Sequence, residues 1–566
     1  MKILGLNHGE INSSAALVID GKLTFGSPEE RFSRIKKTKN FPLESIKSCL
    51  KNSEISLNDC DCIGQSWNPA EYWKKFNPTI SGHRIKREDY FYTVPDNLYN
   101  LVNRDTPDWI QMNSNSSMPS IYYVKHHLAH AANAFFLSPF NESAILTCDW
   151  RGESDSVLMG FGSKNKIDVF STQQIPHSLG MFYAAFTQLL GYRPDNDEWK
   201  VMALSAFDVD YLENLEKIRK TVFLKNDGKF ELDQSFYQGA IWEKSKIYTE
   251  KLVELLGGRE GKPGEEPDEW HYSIAKSMQI VSEEIVFHML DYLYEKTKSE
   301  NIVLGGGFFM NSVCNGKITQ NSKFKNIYVS HSPADVGNSI GVALYISHCI
   351  HNEKRHFSDI SSFIGPDFSE KDILSSLERR KINFSTMQNP AQEIAEIIAS
   401  GKIVGLFNGK MEFGERALGH RSIIADPRDK NMKNKINSII KYRESYRPFA
   451  PSVLSEKSNI FFEVDERFQS NFMEKVVPVR EEYRSQLPAI THVDGSGRIQ
   501  TVVRENNELF FDIIKEFEKI SGFPIILNTS FNINGEPIVL SPDDALNTFF
   551  NSGLEYLVLE KYLIQK

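Results

Sequence analysis

The sequence predicts an α/β protein of two domains, the first an internally doubled unit with a cleft between its halves. Three observations carry that reading. A strand, polar loop and returning strand open the chain and recur near residue 143; a strand near residue 302 runs into three consecutive glycines; and beyond residue 366 a fresh αβ pattern begins, unusually rich in arginine. At 566 residues the chain is too long for one ordinary core. Charge, Pro and Gly rise across residues 351–366, so the domains are expected at 1–355 and 360–566.

Residues 3–7 read as a strand, 8–14 as a polar turn and 15–20 as the returning strand, with Gly21 leading into a third from Lys22. Such a loop can turn amides and hydroxyls toward a phosphate. Residues 143–147, 149–156 and 157–161 repeat the pattern, and Gly162 leads into another strand from Lys166. Two such openings imply duplication. Between them, residues 29–37 (Glu-Glu-Arg-Phe-Ser-Arg-Ile-Lys-Lys) form a dense charged segment, either a solvated loop or an anion-binding edge of the cleft. Residues 61–118, rich in aromatics, Asn and Pro without periodicity, read as an insertion over the cleft where specificity could reside.

The stretch from 124 to 149 is the most informative. Its first half is small and apolar with helical period, so His126 and His130, four apart, project from one face while His127 points elsewhere. Its second half is a short strand that ends in Asp149. Two imidazoles and a carboxylate suit Fe(II) or Zn(II). Two core histidines bonded to backbone are the alternative, and the helix–strand context favours the metal. A glycine-bearing turn at 332–341 brings Asp335 toward the same cleft.

Residues 178–190 and 270–298 read as helices. Lys200, among apolar neighbours, is a candidate phosphate contact, with a snorkelling surface lysine as the alternative. Gly305, Gly306 and Gly307 would let backbone approach a nucleotide, and Asn311 and Asn315 can cap the helix that follows. In the second domain, strands are expected at 402–407 and 524–528. Around them gather Lys410, Arg416, His420, Arg421, Arg428, Lys441, Arg443, Arg447, His492, Arg498, Asn528, Ser530 and Asn532, several beside glycine or proline turns. In a chain of net charge −9, that concentration implies a pocket for a phosphate ester.

The same net charge argues against a nucleic-acid-binding face spread over the molecule. Six scattered cysteines read as reduced thiols, and no apolar run is long enough to span a bilayer, so a cytoplasmic protein without membrane partners is expected. A homodimer is left open.

Several separate motifs, in one order, resemble the ATP-dependent O-carbamoyltransferases of the nodulation-factor and antibiotic-biosynthesis type. They are Ser14-Ala15-Ala16-Leu17 with Pro28-Glu29-Glu30-Arg31-Phe32, His126-His127-Leu128-Ala129-His130-Ala131, Gly305-Gly306-Gly307 with Asn311 and Asn315, Glu412-Phe413-Gly414 with Arg416-Ala417-Leu418-Gly419, Arg447-Pro448-Phe449-Ala450-Pro451, His492-Val493-Asp494-Gly495, and Asn528-Thr529-Ser530-Phe531-Asn532. The resemblance implies a duplicated actin-like ATPase fold in the first domain, related to tRNA threonylcarbamoyl-transfer enzymes, and an α+β, YrdC-like second domain. It further implies that carbamoyl phosphate and ATP, with Mg2+, yield carbamoyl-adenylate on Arg416, Arg447, Arg498, Ser530 and Asn532. A hydroxyl of a sugar or secondary metabolite would then take the carbamoyl group in a cleft holding iron, or zinc, on His126, His130, Asp149 and Asp335. The chain departs from the pattern at Ile11-Asn12, where relatives carry His-Asp; this leaves His8 as the candidate base. It departs again at Glu415, usually proline, and at His420, usually Asn. The alternatives are a kinase of the actin-like fold, a tRNA threonylcarbamoyl-transfer enzyme, a non-catalytic nucleotide sensor, and a simple metallohydrolase, which would leave the second domain unexplained.

Overall fold

In the computed structural model, β1 (Lys2–Asn7), β2 (Ser14–Ile19) and β3 (Lys22–Pro28) form an antiparallel meander. β4 (Cys62–Gln65) joins β1 in parallel and β5 (Ser120–Tyr123) joins β4, giving the order β3-β2-β1-β4-β5. All residues are described except 10, 70–88, 103–118, 240–243, 358–360, 445 and 448. The second sheet repeats the plan. β6 (Glu142–Cys148), β7 (Asp155–Ser163) and β8 (Lys166–Gln174) are antiparallel neighbours. After a small hairpin of β9 (Val222–Leu224) and β10 (Phe230–Leu232), β11 (Asn301–Gly305) and β12 (Asn326–Val329) extend it in parallel. The order β12-β11-β6-β7-β8 is that of the first sheet read from the other edge. The doubled, actin-like architecture therefore stands on topology, and the hairpins that announced it are its first three strands in each half.

One expectation needs correction. The segment 61–118 is not an insertion throughout, because β4 lies inside it and is an interior strand of the first sheet. Four residues, all buried, are too few for a period to register in the sequence. A helix spans Tyr90–Val102, while 70–88 and 103–118 lie outside the described residues.

The His126–Phe136 helix packs in the core with the Asn338–Leu344 helix. Its inner face is alanine: Ala129, Ala131, Ala132 and Ala134 are fully buried, and this lets other backbone come close. A Cβ on Gly341 would collide with the carbonyl of Ala129, and one on Gly305 would stand 2.8 Å from that of His130. Gly341→Ala is therefore expected to destabilise the protein by about 3 kcal/mol, since overpacking a rigid core forces backbone apart. The check is the midpoint of a urea denaturation curve. An unchanged midpoint would mean that this contact relaxes freely.

The Glu269–Thr297 helix starts on a reciprocal cap in which Asp268 accepts from the His271 amide. The Ser312–Asn321 helix is capped by Asn311, which accepts from Cys314 at 3.0 Å. Asn315 is not a second cap: it sits inside the helix and donates to the carbonyls of Phe309 (2.8 Å) and Glu474 (3.0 Å). The second of these ties the N-terminal half to the C-terminal half.

That C-terminal half is α+β, built on a nine-stranded mixed sheet. From one edge it runs Ser385–Thr386, Tyr562–Gln565, Tyr556–Leu559, Val404–Phe407, Arg421–Ala425, Ile525–Ser530, Ala450–Leu454, Ser496–Val502 and Lys475–Pro478. Among the described residues no helix is long and apolar enough to cross a membrane.

Candidate functional site

A cavity of about 1820 Å³ lies between the halves. Asp149, Gly307 and Asn311 line it from the first half, and Arg416, Arg443, Arg447 and Arg498 from the second.

The metal-ligand candidates converge behind its wall, which Asp149 alone of the four lines. His126 and His130 occupy successive turns of one helix, and their Nε2 atoms lie 3.0 Å apart. Asp149 Oδ2 is 3.0 Å from the first and 3.1 Å from the second, and Asp335 Oδ1 is 3.4 and 3.3 Å away. All four donor atoms fall within 4.8 Å of one another. Asp149 directly follows β6, and its other oxygen accepts from the amides of Trp150 (2.8 Å) and Gly307 (3.3 Å), so its orientation is fixed. Burial disfavours charge on both imidazoles and on Asp149. Even so, the carboxylates hold both imidazoles above their ordinary range, and the imidazoles hold Asp149 well below its own. Two nitrogens and two oxygens pointed at one locus are a donor set suited to divalent iron or zinc, so the residues fit the metal.

His127 does point elsewhere, to Thr147 Oγ1 (2.7 Å) and the Asp155 carbonyl (3.0 Å), and burial pushes it down to about 3. Two contributors escaped sequence reasoning. Glu153 accepts the Asn68 amide at 2.7 Å and the His126 amide at 3.0 Å, placing a carboxylate at the start of the ligand helix. Asn338 Nδ2 lies 3.2 Å from His130 Nε2. Neither carries a local sequence signal.

The glycine run serves this centre. Gly306 has φ +94°, and a Cβ there would collide with the Cys148 carbonyl; one on Gly307 would meet Asp149 Oδ1 at 2.9 Å. Of the three glycines only Gly307 lines the cavity. Lys200 also lines it but is paired with Glu444 (3.1 Å) and Asp197 (3.4 Å), bridging the halves. His8 is not among the lining residues. Its ring is stacked on Tyr90, with centroids 4.7 Å apart, and edged by Phe41.

On the opposite wall the loop 412–421 wraps around one carboxylate. Glu412 Oε1 accepts from the amides of Leu418 (2.9 Å), His420 (2.8 Å) and Arg421 (3.0 Å), which fixes the turn that presents Arg416. Arg498 stands on the strand Ser496–Val502, and Arg447 lies 3.6 Å above the Trp199 ring of the first half. Arg416, Arg443 and Arg447 all bear on Arg498. Burial first, and then these like charges, push it well below its ordinary range. Four guanidiniums repelling one another around a cavity call for an anion of several charges.

The cation cluster read from the sequence is only partly this pocket. Arg421 lies 3.5 Å over the Phe407 ring, His420 is stacked on Phe363, and Arg428 is paired with Asp426 at 2.7 Å; none lines the cavity, nor does Lys410. Lys441 is buried and donates to Ser530 and Asn532, including Asn532 Oδ1 at 2.8 Å, so it positions those two lining residues. Asn528 lines the cavity, with its Nδ2 donating to Ser452 (3.1 Å) and Gln500 (3.0 Å) and its Oδ1 buried without a partner.

Glu415 also lines the cavity, with both carboxylate oxygens buried and unpartnered. Burial raises it to about 6, against the pull of Arg416. Above that pH its charge offsets Arg416; below it the carboxyl is neutral and the guanidinium is released to an anion. Sulfate, which does not titrate there, is expected to bind several-fold more tightly as pH falls from about 7 to about 5, and Glu415→Gln is expected to flatten that dependence. Calorimetric titration reads both. A dependence that survives in the variant would assign it to another group.

Residues 2–344 match the family described as Carbamoyltransferase N-terminus, and residues 395–566 match Carbamoyltransferase C-terminus. Nodulation protein NolNO of Sinorhizobium fredii is 35% identical over 564 residues, covering 98% of this chain and 79% of that protein. Nodulation protein NolO of Bradyrhizobium diazoefficiens is 36% identical over 452 residues, 78% of this chain and 79% of its own. Among solved structures, HypF of T. kodakarensis is 12% identical over 62% of this chain and 48% of its own, with a TM-score of 0.33. The class is that of enzymes that move a carbamoyl group. The chain belongs to the carbamoyltransferase family.

Proposed function

We propose that the protein is an O-carbamoyltransferase that activates carbamoyl phosphate with ATP to carbamoyl-adenylate, then carbamoylates a hydroxyl of a small sugar or secondary-metabolite acceptor. The observation that carries this reading is that the arginine pocket shares one cavity with Asp149, the member of the His126–His130–Asp149–Asp335 centre that lines it. An intermediate made on one wall would have the other within the same cavity.

The domain of residues 360–566 performs the first step. Arg416, Arg443, Arg447 and Arg498 bind the phosphates of ATP and carbamoyl phosphate, and Ser530 and Asn532 complete their cradle. Positioning and charge neutralisation supply most of what nucleotidyl transfer requires. The domain of residues 1–355 performs the second. His126, His130, Asp149 and Asp335 would hold divalent iron or zinc, whose Lewis acidity polarises phosphate and carbamoyl oxygens when bound. The amides of Trp150 and Gly307 keep Asp149 turned toward the histidines. Gly307 and Asn311 line that wall beside Asp149.

The test is product analysis: ATP, carbamoyl phosphate and a panel of alcohols should give AMP, pyrophosphate and a carbamate ester. Recovery of ADP with a phosphorylated alcohol would replace this reading by a kinase of the actin-like fold.

A further inference from the structure

The charged segment after β3 is neither a free loop nor simply an edge of the cleft. It straps the first half to the second. Arg31 donates to the Gly414 carbonyl at 2.6 Å, next to the turn that carries Arg416. Arg34 donates to the carbonyls of Ile538 (2.7 Å) and Pro537 (2.9 Å), on the loop that follows Ser530 and Asn532. Three bonds to backbone acceptors thus fix the chain on both sides of the arginine pocket. Two residues past Arg34, Lys36 enters the cavity.

Among the described residues, every lysine that lines the cavity comes from the first half: Lys36, Lys37, Lys200, Lys276 and Lys317. Four of them are committed. Lys37 donates to the Asp195 carbonyl, Lys200 pairs with Glu444, Lys276 donates to the Phe207 carbonyl and Lys317 pairs with Glu283. The nearest acid to Lys36 in the chain, Glu30, is itself engaged by Arg31 (3.0 Å) and the Lys37 amide (2.9 Å). Among the described residues no carboxylate pairs with Lys36, whose side chain stays open to the cavity. Lys36 keeps an exposed side chain, yet desolvation by the surrounding walls opposes its charge, as do Lys37, Arg447 and Arg31, against the pull of Glu30; it bears in turn on Lys441 beneath Ser530 and Asn532.

We infer that Lys36 of the N-terminal half is an anion-binding residue of the C-terminal pocket, so that the polyphosphate site is completed only across the interface between the halves. The division of labour is physical. The guanidiniums stand on a sheet and its turns and present fixed forks, whereas a lysine on a strap supplies a compact charge on a flexible stem that can follow a phosphate as it moves. The ligand class is a pyrophosphate-bearing or acyl-phosphate anion. The role in catalysis rests on the carbamoyl-adenylate reading; the binding role does not.

The experiment uses the full chain and two readouts. Inorganic pyrophosphate is titrated calorimetrically into the wild type, Lys36→Met and Lys36→Arg, with Tm measured for each. Lys36→Met is expected to weaken pyrophosphate binding about tenfold, as losing one charge-assisted contact does, with Tm unchanged and affinity restored within about threefold in Lys36→Arg. Equal affinity in the wild type and Lys36→Met overturns the inference. So does equal weakening in both variants with a fall in Tm, which would make Lys36 a strap residue like its neighbours. Pyrophosphate release from ATP plus carbamoyl phosphate is followed in parallel. If the wild type binds pyrophosphate through Lys36 but releases none, the activation chemistry fails and the composite anion site stands.

Discussion

Arg498→Ala is expected to reduce carbamoyl phosphate-dependent release of pyrophosphate from ATP at least about a hundredfold, the scale of losing one preorganised charge at a developing anion. Arg498 has the least support of the arginine pocket's members Arg416, Arg443, Arg447 and Arg498. Its Nε is buried without a partner, and its dominant charged neighbours are Arg416, Arg443 and Arg447, all of its own sign. A guanidinium held in that setting costs stability, and an anion is what offsets the cost. The same substitution should therefore leave Tm at or above the wild-type value while turnover collapses. Those two readouts move in opposite directions only if the residue serves a ligand. A nucleotide sensor would keep ATP affinity in the variant, and a structural arginine would lose Tm with activity. Turnover within about threefold of wild type would remove Arg498 from the pocket's chemistry.

Legibility followed the range of the interaction that decides each feature. The hairpins were readable because strand alternation and a glycine turn are local. The pair His126 and His130 was readable because four residues along a helix return to one face, whatever surrounds the helix. The arginine pocket was readable only as a concentration. A cation beside a glycine turn looks the same in sequence whether it faces the cavity, as Arg416 does, or lies over Phe407, as Arg421 does. The strap was hardest. Arg31 and Arg34 find their partners in carbonyls 383 and 504 residues away, and a carbonyl is offered by every residue type. Glu153 was missed for the same reason, since the amides it accepts announce nothing. Gly305 and Gly306 suggest a nucleotide in the sequence, but their missing side chains are needed against His130 and Cys148. A glycine signals close approach without saying to what.

Asp149→Ala is expected to abolish stoichiometric binding of iron or zinc and, with it, carbamoyl transfer to the acceptor. It should leave activation in the other half largely intact. Asp149 is the pivotal donor because one carboxylate oxygen faces both imidazoles at 3.0 and 3.1 Å while the other is clamped by two amides. Neither histidine has an equally close acidic partner in Asp335, at 3.4 and 3.3 Å. Metal analysis after reconstitution should fall from about one ion per wild-type chain to a small fraction, a loss of at least a hundredfold in affinity. Adding metal at about a hundred times its dissociation constant should stabilise the wild type by about 2.7 kcal/mol and the variant not at all. Treating the wild type with a chelator should reproduce the kinetic split, with pyrophosphate still released from ATP and carbamoyl phosphate while the acceptor goes unmodified. That split is the sharper test, because it asks whether the two walls of one cavity run separable steps. If chelation stopped pyrophosphate release as completely as acceptor carbamoylation, the centre would belong to activation, and the assignment of one step to each half would have to be given up.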